Sequence, residues 1–196
     1  MAANIVYELI AGSIPPGSRV LDVGSGDGTL LSYLQDRKGI QGQGIELQLE
    51  NFESSLAKGV PVYVGDLYEI LPGIADKSFD YVILSHTLQT VTDPLEVLRQ
   101  MLRIGEHGLV TVPNFGHIVN RFQLMFGGRM PVNKNIPKEW FNTDNIHFCT
   151  KKDFEKFCWD HQIPIQSIFS LKNGRRSRTL FPNLFATDML YLLEGL

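Results

Sequence analysis

Apolar positions along this chain switch between two periods. Compact runs fall at residues 20–23, 43–47, 60–64, 79–84 and 109–112, and the longer stretches between them repeat every three to four residues. Residues 3–11 place Ile5, Val6, Leu9 and Ile10 on one helical stripe, which Pro15, Pro16 and Gly17 end. A second helix is expected from Thr29 to about Arg37, stopped by Gly39. A third spans Glu50 to Lys58 and closes on Gly59. Asp93-Pro94-Leu95-Glu96 opens another, with Asp93 as cap, Pro94 in the first turn and Glu96 placed to complete a capping box. Thr150 to His161 repeats the device, Thr150 and Asp153 standing in the T-x-x-D relation. Strands near Ile165–Leu171 and Thr187–Leu193 finish the chain with no helix between them.

Strand–helix alternation predicts an α/β fold: three layers around a doubly wound, mostly parallel sheet of seven strands. The closing pair predicts an antiparallel hairpin at one edge. The whole of 1–196 reads as a single domain, with its core over about 18–112 and 150–196. Residues 113–149 form an insertion after the fifth strand, where Ile118, Phe122, Met125 and Phe126 give a partly amphipathic helix. A segment of that length on the ligand side of a sheet is expected to be a lid or a partner surface. Its Trp140, Phe141 and Phe148 argue against disorder.

Composition narrows the class. A chain of 196 residues with 43% hydrophobic and 20% charged positions suits one sizeable core. A net charge of −3 gives no reason to expect nucleic acid. Cys149 and Cys158 are the only cysteines, so no disulfide framework or metal-type pairing is expected, and they read as core thiols. No apolar run approaches a membrane span, and the first residues lack a signal-peptide layout. A cytoplasmic location is expected.

The candidate chemistry begins at residues 19–31, RVLDVGSGDGTLL. Val20, Leu21 and Val23 form a strand, Gly24, Gly26 and Gly28 a turn, and Thr29, Leu30 and Leu31 a helix start. A dinucleotide fingerprint is spaced G-x-G-x-x-G. Here the spacing is G-x-G-x-G, with Asp22 before it and Asp27 inside it. Two carboxylates beside the turn repel a pyrophosphate and suit a cationic ligand. Ligands of such sheets lie at the carboxyl ends of the strands. The second strand ends in Glu46, where a carboxylate can take both ribose hydroxyls; a solvated strand-end acid is the plainer alternative. The third ends in Asp66-Leu67, an acid for an adenine amine and an apolar cover for the ring, or simply a turn. The fourth ends in Leu84-Ser85-His86-Thr87, where His86 either serves as a general base or merely lines the site. His117, Asn145 and His147 are expected near the pocket mouth. Their spacing with Asp144 is not diagnostic of a metal, and none is predicted. Arg175, Arg176 and Arg178 after Asn173-Gly174 read as a solvated hairpin turn.

The D-x-G-x-G-x-G run resembles motif I of the class I S-adenosylmethionine-dependent methyltransferases. Past the fourth strand the likeness narrows. The segments L-S-H-T-L-Q (84–89), P-N-F-G-H (113–117), G-G-R-M-P-V (127–132), E-W-F-N-T-D-N-I-H-F-C-T (139–150) and K-D-F (152–154) resemble the methionine-biosynthesis MetW family over roughly residues 18–170. Two positions depart from the family pattern: Ser25 stands where cysteine is common, and His86 where glutamine is. The resemblance implies a Rossmann-like class I fold, S-adenosylmethionine (or S-adenosylhomocysteine) as cofactor, and partnership with homoserine O-acyltransferase (MetX). It places Asp22, Gly24, Ser25, Gly26, Asp27 and Gly28 at the amino-acid tail and turn. Glu46 and Leu47 fall at the ribose, Asp66 and Leu67 at the adenine, and Ser85 near the sulfonium. It names no catalytic residue and no methyl acceptor. A free-standing methyltransferase acting on a small molecule remains the alternative to the partner role. An acceptor pocket beside the sulfonium, open or filled by lid aromatics, discriminates between them.

Overall fold

The computed structural model describes residues 5–133 and 136–195. Residues 3 and 4 of the expected first helix lie outside them. In chain order the elements begin with α1 (Ile5–Ser13), β1 (Arg19–Val23), α2 (Thr29–Lys38), β2 (Gln41–Glu46), α3 (Leu49–Ala57), β3 (Val62–Val64) and α4 (Leu67–Ile70). After a 3-10 turn at Leu71–Gly73 come β4 (Phe79–Ser85), α5 (Pro94–Ile104), β5 (Gly105–Pro113) and α6 (Ile118–Gly127). The chain ends with α7 (Lys151–Asp160), β6 (Ile165–Lys172), β7 (Arg175–Ser177), α8 (Pro182–Phe185) and β8 (Asp188–Glu194).

One mixed sheet runs β3-β2-β1-β4-β5-β8-β6-β7. The first five strands pair in parallel, and β8 inserts antiparallel between β5 and β6. The expected antiparallel edge is present, but among the described residues the sheet has eight strands rather than seven. The extra one is β7, which carries Arg175 and Arg176 and pairs with β6 across Asn173-Gly174. Both turn residues have positive φ (49° and 71°), the two-residue hairpin geometry that matches strand twist. The arginines therefore lie on an edge strand as well as beside a turn.

Each central strand is buried on both sides, which explains the unbroken apolar runs. Leu21 and Val23 of β1, with Val82 and Leu84 of β4, face the cluster packed by Val97, Leu98, Met101 and Leu102 of α5 and by Phe154 and Cys158 of α7. Val20 and Ile83 face the other way, onto Ile10 of α1 and Leu30, Leu31 and Leu34 of α2. The two-residue alternation of β-structure thus sorts one sequence into two layers. All helices among the described residues are far too short and polar to cross a membrane.

The caps behave as their chemistry dictates. Thr150 and Asp153 form both halves of the capping box on α7. On α5, Asp93 Oδ1 accepts from the Leu95 and Glu96 amides, but Glu96 turns outward and its Oε1 accepts from Gln100 Nε2 (2.8 Å). A side chain one turn along the same face offers that carboxylate a partner at little conformational cost.

Candidate functional site

The glycine turn sits where β1 and β2 end side by side. The Gly24 and Ser25 amides both donate to the Ile45 carbonyl, at 2.8 and 3.0 Å. From below, Glu46 holds the loop: its Oε2 accepts from the Gly26 amide (2.8 Å) and its Oε1 from the Gln48 amide (2.9 Å). A carboxylate has about four lone-pair positions, so two backbone bonds leave room for ligand hydroxyls. Two glycines are required by contact. At Gly24 (φ 76°) a Cβ would stand 2.6 Å from Thr87 Oγ1, and at Gly28 (φ 74°) 2.8 Å from Ser55 Oγ. The first lets the turn close against the end of β4, and the second lets α3 dock on the turn.

A cleft of about 670 Å³ opens above these strand ends, lined by Gly24, Glu46, Leu47, Asp66, Leu67 and Ser85 among others. Six positions singled out from sequence therefore share one surface. Leu47 is 68% exposed, an apolar side chain presented to the opening. Asp66 Oδ1 accepts from the Tyr68 amide (2.9 Å), capping α4 and leaving its second oxygen for a ligand donor. His86, Thr87 and Thr90 form the β4 side, and Asp144 reaches the rim from the insertion.

The remaining motif positions stand behind this surface. Asp22 is 2% exposed beneath the turn, and its Oδ1 has no protein partner. Burial, reinforced by the nearby Glu46 carboxylate, pushes its pKa up to about 8. Ser25 is buried with its Oγ packed toward Gly44, and a Cβ on that glycine would lie 2.4 Å away. The Asp27 carboxylate accepts from Lys58 Nζ (2.6 Å) and from Thr29 Oγ1 (2.7 Å), tying the turn to the end of α3. These contacts, with the Lys58 bond first, hold the Asp27 carboxyl below its ordinary value. Gly26 and Gly28 complete the loop.

His86 has φ 56°, a left-handed conformation that a non-glycine residue adopts at a cost, and such residues concentrate at functional sites. It lies exposed at the cleft mouth. Desolvation, the larger effect, lowers its pKa while Asp188 pulls the other way, so the ring is neutral near pH 7. His117 instead caps α6, its Nδ1 accepting from the Val119 amide (3.3 Å). Burial pushes the Cys149 and Cys158 thiols up to about 11 and about 12, which leaves both protonated at neutral pH. Trp140 and Phe141 of the insertion are 72% and 68% exposed and do not fill the cleft.

Asn114 carries structure that the sequence reading did not assign to it. It is 2% exposed, donates from Nδ2 to the Ala186 (2.9 Å) and Asn183 (3.2 Å) carbonyls, and accepts at Oδ1 from the Gly116 and Lys151 amides. Only its place in the P-N-F-G-H segment marked it beforehand.

Residues 5–193 match the profile of the family described as "Methionine biosynthesis protein MetW". The chain is 38% identical over 159 residues to the bifunctional methionine biosynthesis protein MetXA/MetW of Rhodopirellula baltica, a match covering 76% of this chain and 26% of that protein. It is 31% identical over 111 residues to the ubiquinone/menaquinone biosynthesis C-methyltransferase UbiE of Stenotrophomonas maltophilia, covering 52% of this chain and 44% of that one. The chain thus spans about a quarter of the first relative and under half of the second. Among solved structures, an S-adenosylmethionine-dependent methyltransferase from Mesorhizobium loti superposes with a TM-score of 0.70 at 14% identity, over 98% of each chain. Another from Thermotoga maritima, described as a possible histamine N-methyltransferase, gives 0.69 at 18% identity, over 98% of this chain and 89% of that one. The fold is that of the class I methyltransferases, and the chain belongs to the MetW family of methionine biosynthesis proteins.

Proposed function

We propose that this cleft binds S-adenosylmethionine or S-adenosylhomocysteine, and that the chain acts together with homoserine O-acyltransferase (MetX) in methionine synthesis. The observation that carries the first half is the Glu46 carboxylate, fixed by two backbone amides directly under the glycine turn and facing a cleft that also holds Leu47, Asp66 and Leu67. Glu46 and Leu47 would take the ribose region, Asp66 and Leu67 the adenine, and Ser85 the neighbourhood of the sulfur. Gly24 and Gly26 would present backbone to the amino-acid tail. Asp22, which holds its proton in the free chain, would release it to solvent when a cationic group settles above it, its unpartnered oxygen suiting that group. Ser25, Asp27 and Gly28 would hold the turn in shape. When bound, S-adenosylmethionine would supply an activated methyl group, and S-adenosylhomocysteine none.

The second half rests on the Rhodopirellula relative, in which a MetXA segment and a MetW segment share one chain. The experiment is an assay of the cognate homoserine O-acyltransferase with and without this protein, across added S-adenosylmethionine and S-adenosylhomocysteine. Stimulation that accompanies co-purification supports the partner role; no complex and no effect sink it. In parallel, calorimetry with S-adenosylhomocysteine should show at least about tenfold weaker binding for Glu46→Ala, with unchanged far-UV circular dichroism. Glu46→Gln, which keeps one acceptor oxygen, should fall between. An unchanged dissociation constant in Glu46→Ala would remove Glu46 from the site.

Methyl transfer to an unidentified small molecule is the second reading. It is favoured by the strained His86 at the end of β4 and by insertion aromatics that leave the cleft open. Transfer of labelled methyl into a panel of metabolites tests it.

A further inference from the structure

The aromatics of the insertion do not close the cleft, and its helix α6 is turned inside out. Asn120 is buried, donates from Nδ2 to the Phe115 carbonyl (3.0 Å) and accepts at Oδ1 from Asn133 Nδ2 (2.8 Å). Gln123, one turn on, donates to the Val132 carbonyl (3.3 Å) and accepts from the same Asn133 amide (3.0 Å). The polar face of α6 is thus the one that packs. Val119, Phe122 and Phe126, spaced i, i+3 and i+7, form an apolar stripe with Met125 beside it, and all four are between 45% and 75% exposed. A helix on a globular domain ordinarily buries its apolar stripe and shows its polar one. The Phe122 and Phe126 rings are stacked, their centroids 5.5 Å apart and their planes at 9°, so the stripe is ordered in the absence of a partner.

A groove of about 800 Å³ runs beside the end of α6, and its wall includes Met130, Val132 and Trp140. Taking about 150–250 Å² for a fully open aromatic side chain as the scale, stripe and wall together present roughly 750 Å². That exceeds the patch of about 300–600 Å² usual on a monomer and matches the roughly 800 Å² that each partner brings to a stable interface. Three observations choose the occupant. A helix that lies on a bilayer carries a basic rim, whereas Arg121 is the only cation of α6 and its Nε is taken by the Gly116 carbonyl (2.7 Å). A patch this apolar suits a homodimer better than a transient complex, whose interface is no more apolar than ordinary surface. The groove also holds one charge of each sign, Arg129 and Glu139, and among the described residues neither is in an ion pair. Across a two-fold axis such a patch complements itself, each Arg129 meeting the second copy's Glu139.

We propose that this chain forms a two-fold symmetric dimer through α6, the Phe122–Phe126 stripe of one copy packing on that of the second. The face is joined to the cofactor cleft through one ion pair, between Lys138 and Asp144 at the cleft rim. Light scattering on the eluting full chain, with sedimentation velocity from about 1 to 100 μM, tests it. A mass of twice 22.1 kDa is expected. Phe126→Glu should raise the dimer dissociation constant at least about tenfold with unchanged far-UV circular dichroism, since that side chain already stands in solvent in the single chain. Arg129→Glu and Glu139→Arg should each weaken the dimer. Mixing those two variants should restore it, because both contacts of the mixed pair then join opposite charges. A merely adhesive apolar surface shows no such rescue. A monomer throughout the range, a dimer indifferent to Phe126→Glu, or no rescue on mixing would each overturn the proposal. In the first case, loss of acyltransferase co-purification in Phe126→Glu would assign the face to that partner instead. The dimer measurement depends on neither cofactor binding nor the acyltransferase.

Discussion

Asp22 shows how much a single buried group in this site matters. Its carboxyl in the folded chain holds a proton up to about pH 8, whereas in an unfolded chain it releases the proton near its ordinary value of 3.8. Between those pH values folding takes up a proton, so the native state loses stability as pH rises from about 4 to about 8. At about 1.4 kcal/mol per pKa unit, the full swing is several kcal/mol. Thermal unfolding of the ligand-free protein should therefore give a lower Tm at pH 8.5 than at pH 6. Asp22→Asn should lift the pH 8.5 value and flatten that slope; a slope unchanged in Asp22→Asn would place its origin elsewhere. The sequence marked Asp22 as a carboxylate suited to a cation, and residue type and position were enough for that. Its burial, and the use of Asp27 for Lys58 rather than the cleft, depend on α3 packing against the turn. No local spacing reports such packing.

Elements were legible in proportion to the local chemistry that makes them. α7 is set by a capping box within its own first turn, and β4 by an apolar run buried on both faces. β5 begins at Gly105, four residues before its apolar run, because Gly105-Glu106-His107-Gly108 is held by pairing with β4 and β8 rather than by its own pattern. α8 and β7, at four and three residues, are below the reach of any periodicity. α8 closes on its own backbone bonds behind Pro182, and Asn114, some seventy residues earlier, donates to the Asn183 and Ala186 carbonyls near its two ends. Asn114 thereby fastens the end of β5 to α8 and to the start of α7, and with them the base of the insertion. Asn114→Leu strands the Gly116 and Lys151 amides and the α8 carbonyls, which should cost about 3 kcal/mol in urea unfolding. Asn114→Asp keeps the acceptor but sets a carboxylate oxygen against the Ala186 carbonyl, so it should be no milder. A loss under about 0.5 kcal/mol in both would mean that the insertion is anchored by other contacts.

At the scale of the molecule, a cofactor-responsive partner role obeys a thermodynamic constraint stronger than any single activity assay. If S-adenosylhomocysteine in the cleft changes affinity for the acyltransferase by some factor, the acyltransferase must change affinity for S-adenosylhomocysteine by the same factor. A ligand that binds free and complexed chain equally shifts nothing, however tightly it binds. The structural route for such coupling is short: Asp144 of the insertion lines the cleft, and Gln89 joins the insertion backbone to His86 at the cleft mouth. The two affinities can be measured independently, one by calorimetry of S-adenosylhomocysteine into free chain and into saturated complex. The other comes from titrating the acyltransferase with and without S-adenosylhomocysteine. We expect matching factors of about 5–100-fold, the usual range of such couplings, and collapse of both toward unity in Glu46→Ala. A complex that responds to S-adenosylhomocysteine and keeps that response in Glu46→Ala would place the responsive site on the acyltransferase. The glycine-turn cleft would then stand as a binding site uncoupled from the partner, and methyl transfer would become the reading to pursue.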